Sequence, residues 1–450
     1  MSFSTCLGDA IGRGNRVWLA ACCSFAALCS VVLAGDRRHR QNILIPADFH
    51  EGKALFEKSW TPGERSPAGG DGLGPLYNET SCVGCHNQGG TGGGGANDRN
   101  VQMLTAVASS ARSVGRDKLF QGEMEDLHPG FRNRSSVVIH RHATSEEIEV
   151  RLRNIGSFSA VQTREEFKTL RTASRNTPAL FGAGILDAIP ESVLREAEKR
   201  TFPKFPEIKG RVSSLPEGRL GRFGWKAQMA SLDGFVRAAC SNELGLEVPG
   251  QHQTSLAPAG EFEPSKIKID LDEDQCISLT TFLSRLAPPA RRPMDNGAMP
   301  PWGYTVFESI GCAACHAPKL GAARGIYSDL LLHDMGASSG DSATYYGAPV
   351  APPRLGDLAQ AQSPRSGPAG PTEWRTPPLW GVADSAPYLH DGRADTLDDA
   401  IERHDGEAAK TRIRYTKLAF ADRKALVAFL SSLTVSAERP KSAAHGRKRG

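Results

Sequence analysis

Net charge is what this chain has least of: 54 Lys and Arg against 50 Asp and Glu leave +4 over 450 residues. Nothing in that balance makes a case for a nucleic-acid partner. The chain also lacks the four clustered ligands of a zinc site, and no acidic cluster calls for calcium. Cysteine is sparse, 10 in all. Cys22, Cys23 and Cys29 sit in an apolar N-terminal run, and Cys240 and Cys276 read as free thiols or a disulfide of an oxidising compartment.

Four of the others fall into two copies of one pattern: Cys82-Val83-Gly84-Cys85-His86 and Cys312-Ala313-Ala314-Cys315-His316. A C-x-x-C-H run is the attachment signature of a c-type haem. Two thiols at this spacing reach the two vinyl groups of one porphyrin, and the following His reaches the iron. A redox C-x-x-C has no use for the His. The expected cofactors are therefore two covalently bound haem c, with His86 and His316 as axial ligands. The 47 Gly and 29 Pro mark a loop-rich protein, which suits helical domains wrapped around a large apolar cofactor.

Residues 1–34 read as an export signal: Arg13 and Arg16 precede an apolar run over residues 17–34 that ends in Val32-Leu33-Ala34. Export is what covalent haem needs, so the expected location is periplasmic. The alternative is an uncleaved anchor, because the run is about long enough to span a bilayer. The chain then repeats itself. Gly52 to Glu57 stands before the first haem run as Gly303 to Glu308 stands before the second, each reading as a short helix. Arg175-Asn-Thr-Pro-Ala-Leu-Phe-Gly182 answers Arg375-Thr-Pro-Pro-Leu-Trp-Gly381, an extended wall whose Arg175 and Arg375 are candidates to meet haem propionates. Phe282 to Leu286 answers Phe429 to Leu433, each closing a helix, over residues 272–286 and 420–433.

The expected fold is mainly α: a cytochrome c-like haem domain over residues 45–290, enlarged by an insertion, and a second over residues 298–436. A basic tail, residues 437–450, reads as disordered. The insertion, residues 118–264, carries His128, His140 and His142, each either a sixth iron ligand or a structural His, and a helix is expected over residues 145–154. Another helix is expected after Pro190. Trp225 reads as core, with an electron relay as the alternative. Glu123, Glu125 and His128 are candidates for a distal acid or base; no catalytic residue is singled out.

The runs C-V-G-C-H, R-N-T-P-A-L-F-G, F-G-W-K-A-Q, Y-S-D-L-L-L-H-D-M-G and R-T-P-P-L-W-G-V-A-D-S-A-P-Y-L-H-D-G, in this order, resemble the di-haem oxidoreductase family of peroxidase-like proteins, related to bacterial di-haem cytochrome c peroxidase. The likeness covers residues 45–435, and Ala386 to Gly392 is its most specific mark outside the haem runs. The resemblance implies two cytochrome c folds facing each other. Electrons from a small cytochrome or cupredoxin would be collected at the C-terminal haem, and peroxide or a similar small oxidant would react at the N-terminal one. It also implies calcium between the haems, partly on the carbonyls of Ser385 and Pro387.

Two function classes compete: an enzyme with one haem open to substrate, and a carrier with both irons six-coordinate. The sequence favours the enzyme because the units differ: Ala386-Pro-Tyr-Leu-His390-Asp-Gly392 follows the second Thr-Pro segment, whereas no His follows the first. Spacing also nominates a sixth ligand. Thr396 and Asp399 resemble a capping box, and behind them Leu397, Ala400, Ile401 and His404 share one helical stripe. In the peroxidase relatives a methionine ligand lies fourteen residues past the P-Y-x-H-x-G histidine; that count from His390 reaches His404. The alternatives are a core His bonded to a carbonyl, and Met335 as ligand. His390 and His333 are then expected to support the site from behind. Oligomeric state has no signature here.

Overall fold

The computed structural model describes residues 49–108, 124–125, 128–132, 135–146, 150, 168–216, 218–254, 268–289, 301–341, 343 and 366–435. All of them belong to one compact unit. The export segment, the basic tail, Glu123 and all of the helix expected over residues 145–154 except Ser145, Glu146 and Val150 lie outside the described residues.

The internal repeat is built into the packing. The Phe49–Glu57 helix lies on the Glu273–Ser284 helix, and the Pro301–Ile310 helix lies on the Phe420–Ser431 helix. Glycine sets both crossings: a Cβ on Gly52 would stand 2.0 Å from the Ser278 carbonyl oxygen, and one on Gly303 would stand 2.1 Å from that of Ala425. Only a residue without a side chain lets the backbones approach so closely. An aromatic pair fills the space beside each glycine, Phe56 on Phe282 and Phe307 on Phe429, both with ring centroids 5.3 Å apart. The closing helices start and stop close to where the sequence indicates. Asp272 and Gln275 cap the first reciprocally, one side chain to the other's backbone N–H. The helix after Pro190 spans Glu191–Glu198.

The two Thr-Pro segments end in the same turn, with Gly182 and Gly381 both at φ 72°, ψ 9°. They also meet. The Trp380 indole packs so closely on Gly182 that an added Cβ would lie 2.4 Å from it. Trp380 is thereby buried in the core cluster that holds Phe56, Leu186 and Phe282.

The fold is not mainly α. Among the described residues the helices share the structure with a three-stranded antiparallel sheet and four two-stranded ones. In the larger sheet Val101–Ala108 is central, with Ser136–Ile139 on one side and Lys168–Arg175 on the other. The central strand is buried at Met103, Leu104, Thr105 and Ala106. With both faces covered it shows no polar-apolar alternation, and the period-two signal of a half-buried strand is absent.

Candidate functional site

The second C-x-x-C-H run opens on a cavity of about 300 Å³. Cys312, Cys315, His316 and His404 line it, with Phe307, Leu397, Ile401 and Leu426 as apolar wall. The His316 Nδ1–H donates to the Tyr327 carbonyl at 3.0 Å, and the His404 Nδ1–H donates to that of Ala400 at 2.8 Å. A bonded Nδ1–H fixes the tautomer and leaves Nε2 as the electron pair offered to a metal. Burial holds both imidazoles neutral, His316 at about 4 and His404 below the ordinary histidine range. Their ring centroids are 6.4 Å apart. Two imidazoles bound to one metal from opposite sides need roughly this span, two bonds of about 2 Å plus the depth of each ring. The donor set and the apolar wall fit a haem with two axial histidines.

Thr396 caps the helix that carries this stripe, its Oγ1 accepting from the Asp399 N–H at 3.1 Å. The helix ends earlier than the stripe suggests, spanning Leu397–Glu402 with Arg403 as its cap. His404 is therefore two residues past the last helical one, held inward by its bond to Ala400. Met335 lines the same cavity, but His404 is the residue whose ring faces His316.

The repeated arginines part company. Arg175 is 1% exposed and pairs with both carboxylate oxygens of Asp341 at 2.7 Å, so its charge is already answered. Arg375 is buried on the cavity wall and, among the described residues, donates to the Gly224 and Thr376 carbonyls and has no acidic partner. Burial pulls it down to about 10. A buried, uncompensated guanidinium beside the haem run suits an anionic propionate.

At the first run, Ser81 caps the Cys82–Cys85 turn through the Gly84 N–H. The His86 Nδ1–H is shared between the Pro178 and Gly93 carbonyls at 3.1 and 3.3 Å, and burial takes this imidazole to about 4. Phe56 stands 6.4 Å from His86, as Phe307 does from His316. Cys82, Cys85 and His86 do not line this cavity, which reaches their half through Pro178, Phe181, Leu186, Phe223 and Phe235. Among the described residues no histidine faces His86 as His404 faces His316. His128 and His140 are buried and stacked on each other, with His140 bonded to the Asn242 carbonyl, and His142 lies in a strand beside Tyr77. Neither they nor Glu125 line the cavity.

Between the two halves, His390 lies flat on Trp374 at 3.5 Å, and its backbone carbonyl accepts from the Asn176 N–H. Burial and the nearby Arg175 lower His390 to about 2, so it stays neutral. It is a wall residue and does not oppose either haem-run histidine. Lys226 caps the other side of Trp374 at 3.6 Å. Trp225 is half-buried on the cavity wall, donating to the Asn176 carbonyl at 2.9 Å. Ser385 and Pro387 line the cavity as well. His333 sits between Asp329 and Glu407 with Cys315 beside it. Asp341, Lys226 and Trp374 went unread in the sequence, because nothing local ties them to residues up to 166 positions away.

Residues 151–433, well over half of the chain, match the family described as "Di-haem oxidoreductase, putative peroxidase". No curated protein matches the sequence. Among solved structures, the chain is similar to the diheme peroxidase BthA from Burkholderia thailandensis E264 at 14% identity, covering 87% of each chain with a TM-score of 0.38. It is also similar to a MauG-like protein associated with microbial copper homeostasis, at 17% identity over 56% of this chain and 91% of that one, TM-score 0.29. Kuenenia stuttgartiensis hydrazine synthase is similar at 19% identity over 58% and 73%, TM-score 0.33. At such TM-scores the structural likeness carries no weight for function.

Proposed function

We propose, from the chain's membership of the di-haem oxidoreductase family, how this haem-dependent, peroxidase-like enzyme divides its work between two sites. One haem would be held covalently by Cys82 and Cys85 and the other by Cys312 and Cys315, with His86 and His316 offering the iron their nitrogens. His404 completes the second site, which collects electrons from a small redox protein. The first site receives a peroxide-type oxidant. The observation that carries this division is the asymmetry: His316 has an opposing histidine 6.4 Å away, and His86 has none among the described residues.

When bound, the haems supply electron storage and a metal centre that a small oxidant can meet. The protein does the rest. The Tyr327 and Ala400 carbonyls keep both nitrogen lone pairs of the second site aimed inward, and the Pro178 and Gly93 carbonyls do so for His86. Arg375 would hold a propionate of the second haem. Leu186, Phe223 and Phe235 make the wall toward the first half apolar, and a low-dielectric wall strengthens the charge interactions beside it. A calcium ion at Ser385 and Pro387, and export to the periplasm through residues 1–34, belong to the same proposal.

The test is stopped-flow turnover with hydrogen peroxide and a reduced small cytochrome. The proposal expects turnover that His86→Gly abolishes and that wild-type protein sustains over many equivalents. Electron exchange with the donor in the absence of any peroxide consumption would favour a carrier and contradict it.

A further inference from the structure

The second haem run has a neighbour that the first lacks. His333 is 2% exposed and so is Asp329. The His333 Nε2–H donates to Asp329 Oδ2 at 3.1 Å, and its Nδ1–H donates to Glu407 Oε2 at 2.8 Å. Both nitrogens face carboxylates, so the ring must carry both protons to serve them. The Cys315 Sγ stands 3.5 Å from the same Nδ1. Gly210 is pressed on the ring so closely that an added Cβ would lie 2.6 Å from it, and the imidazole has no room to turn. Asp329 is fixed in turn by the Leu331 N–H at 3.0 Å, and Glu407 by the Lys209 N–H at 2.8 Å. At the first run Cys85 has no histidine partner among the described residues.

We infer that His333, locked by Asp329 and Glu407, is a positioning residue that aims and polarises the Cys315 thiol for its bond to the second haem. The inference rests on covalent attachment at Cys312 and Cys315. Attachment adds the Cys315 S–H across a vinyl C=C: a C–S and a C–H bond form, the S–H and one π bond are lost, and no oxidant is consumed. Two things make this addition selective, the direction of the sulfur and a donor that draws charge toward it. His333 supplies both through one shared N–H. Among the described residues Cys312 has no comparable donor, and it needs none if it bonds first and brings the second vinyl within reach of Cys315.

The experiment produces wild type, Cys315→Ala, His333→Gln, His333→Phe and His333→Asn in a host with a haem-attachment system. Each protein is denatured, alkylated with iodoacetamide and mapped by peptide mass. Wild type and His333→Gln, which keeps an N–H donor of similar reach, are expected to carry haem at both Cys312 and Cys315. His333→Phe, and the shorter polar His333→Asn should the Phe variant not accumulate, are expected to lose the Cys315 bond. Cys315 is then alkylated while Cys312 keeps its haem, and the pyridine haemochrome band moves as in Cys315→Ala. The bonds at Cys82 and Cys85 stay intact in every variant. Both bonds present in the Phe or Asn variant would overturn the role of His333. Wild type without covalent haem at Cys312 would instead overturn the attachment reading on which it rests.

Discussion

His316 and His404 face each other across a largely apolar cavity with ring centroids 6.4 Å apart, each with Nδ1 tied to a backbone carbonyl. The arrangement commits both lone pairs to one point between them. His404→Ala is expected to convert the second haem from low-spin to high-spin and to shift its reduction potential. Met335→Ala should leave both unchanged. Spectra and redox titration of the two variants decide it, and the opposite pattern would assign the ligand to Met335.

His86→Gly is expected to abolish peroxide turnover, a loss of at least about 10²-fold in kcat, since removing even a partner of a metal ligand costs up to that much. The redox couple of the second haem should survive. Equal loss of both signals would mean that the two sites are not divided in this way.

The buried Arg175–Asp341 pair is expected to matter for stability rather than for cofactor binding. Arg175→Met leaves a carboxylate without its partner and should cost about 3 kcal/mol, read by chemical denaturation. The Arg175→Met/Asp341→Leu double variant should recover most of it. Arg375→Met, by contrast, is expected to shift the potential of the second haem.

Gly52→Ala and Gly303→Ala should each destabilise by about 1–3 kcal/mol, since a methyl group at either position meets a backbone carbonyl that can yield only by separating two packed helices. Thermal denaturation of the two variants should give similar losses, because the two crossings are built alike.

Asp270 supplies a pH dependence of unusual sign. Its carboxylate accepts the Gly72 and Glu247 N–H groups at 2.7 and 2.8 Å, yet burial, reinforced by Asp71 and Glu247, raises it to about 6. The folded state therefore binds a proton more tightly than the unfolded chain does. The stability it contributes is complete below the unfolded value of about 3.9 and is lost as pH rises through about 6. Asp270→Asn should flatten the stability profile between these limits. It should also lower stability throughout, since one amide oxygen cannot accept both N–H groups.

What the sequence reveals is whatever lies within one turn or one repeat. The Gly52 and Gly303 helices, the helix that starts at Asp272 and the Thr396 cap are local, and each lies where residue spacing puts it. The sheet was missed because Val101–Ala108 is paired with strands far along the chain and is covered on both faces. Arg175 and Arg375 are indistinguishable by motif. Asp341, 166 residues from Arg175, separates their roles. His404 was legible from a stripe that outlasts its helix by more than one residue, because a bond to Ala400 continues the inward direction after the helix ends.

The central claim is that one haem is closed by His316 and His404 while the other is open to oxidant. Low-temperature electron paramagnetic resonance of the half-reduced protein, before and after one equivalent of hydrogen peroxide, tests it most directly. The account predicts a bis-histidine low-spin signal that vanishes when the second haem is reduced and returns as peroxide is consumed, alongside a first haem whose spectrum changes on peroxide addition. Two low-spin haems, neither of which responds to peroxide, would contradict it.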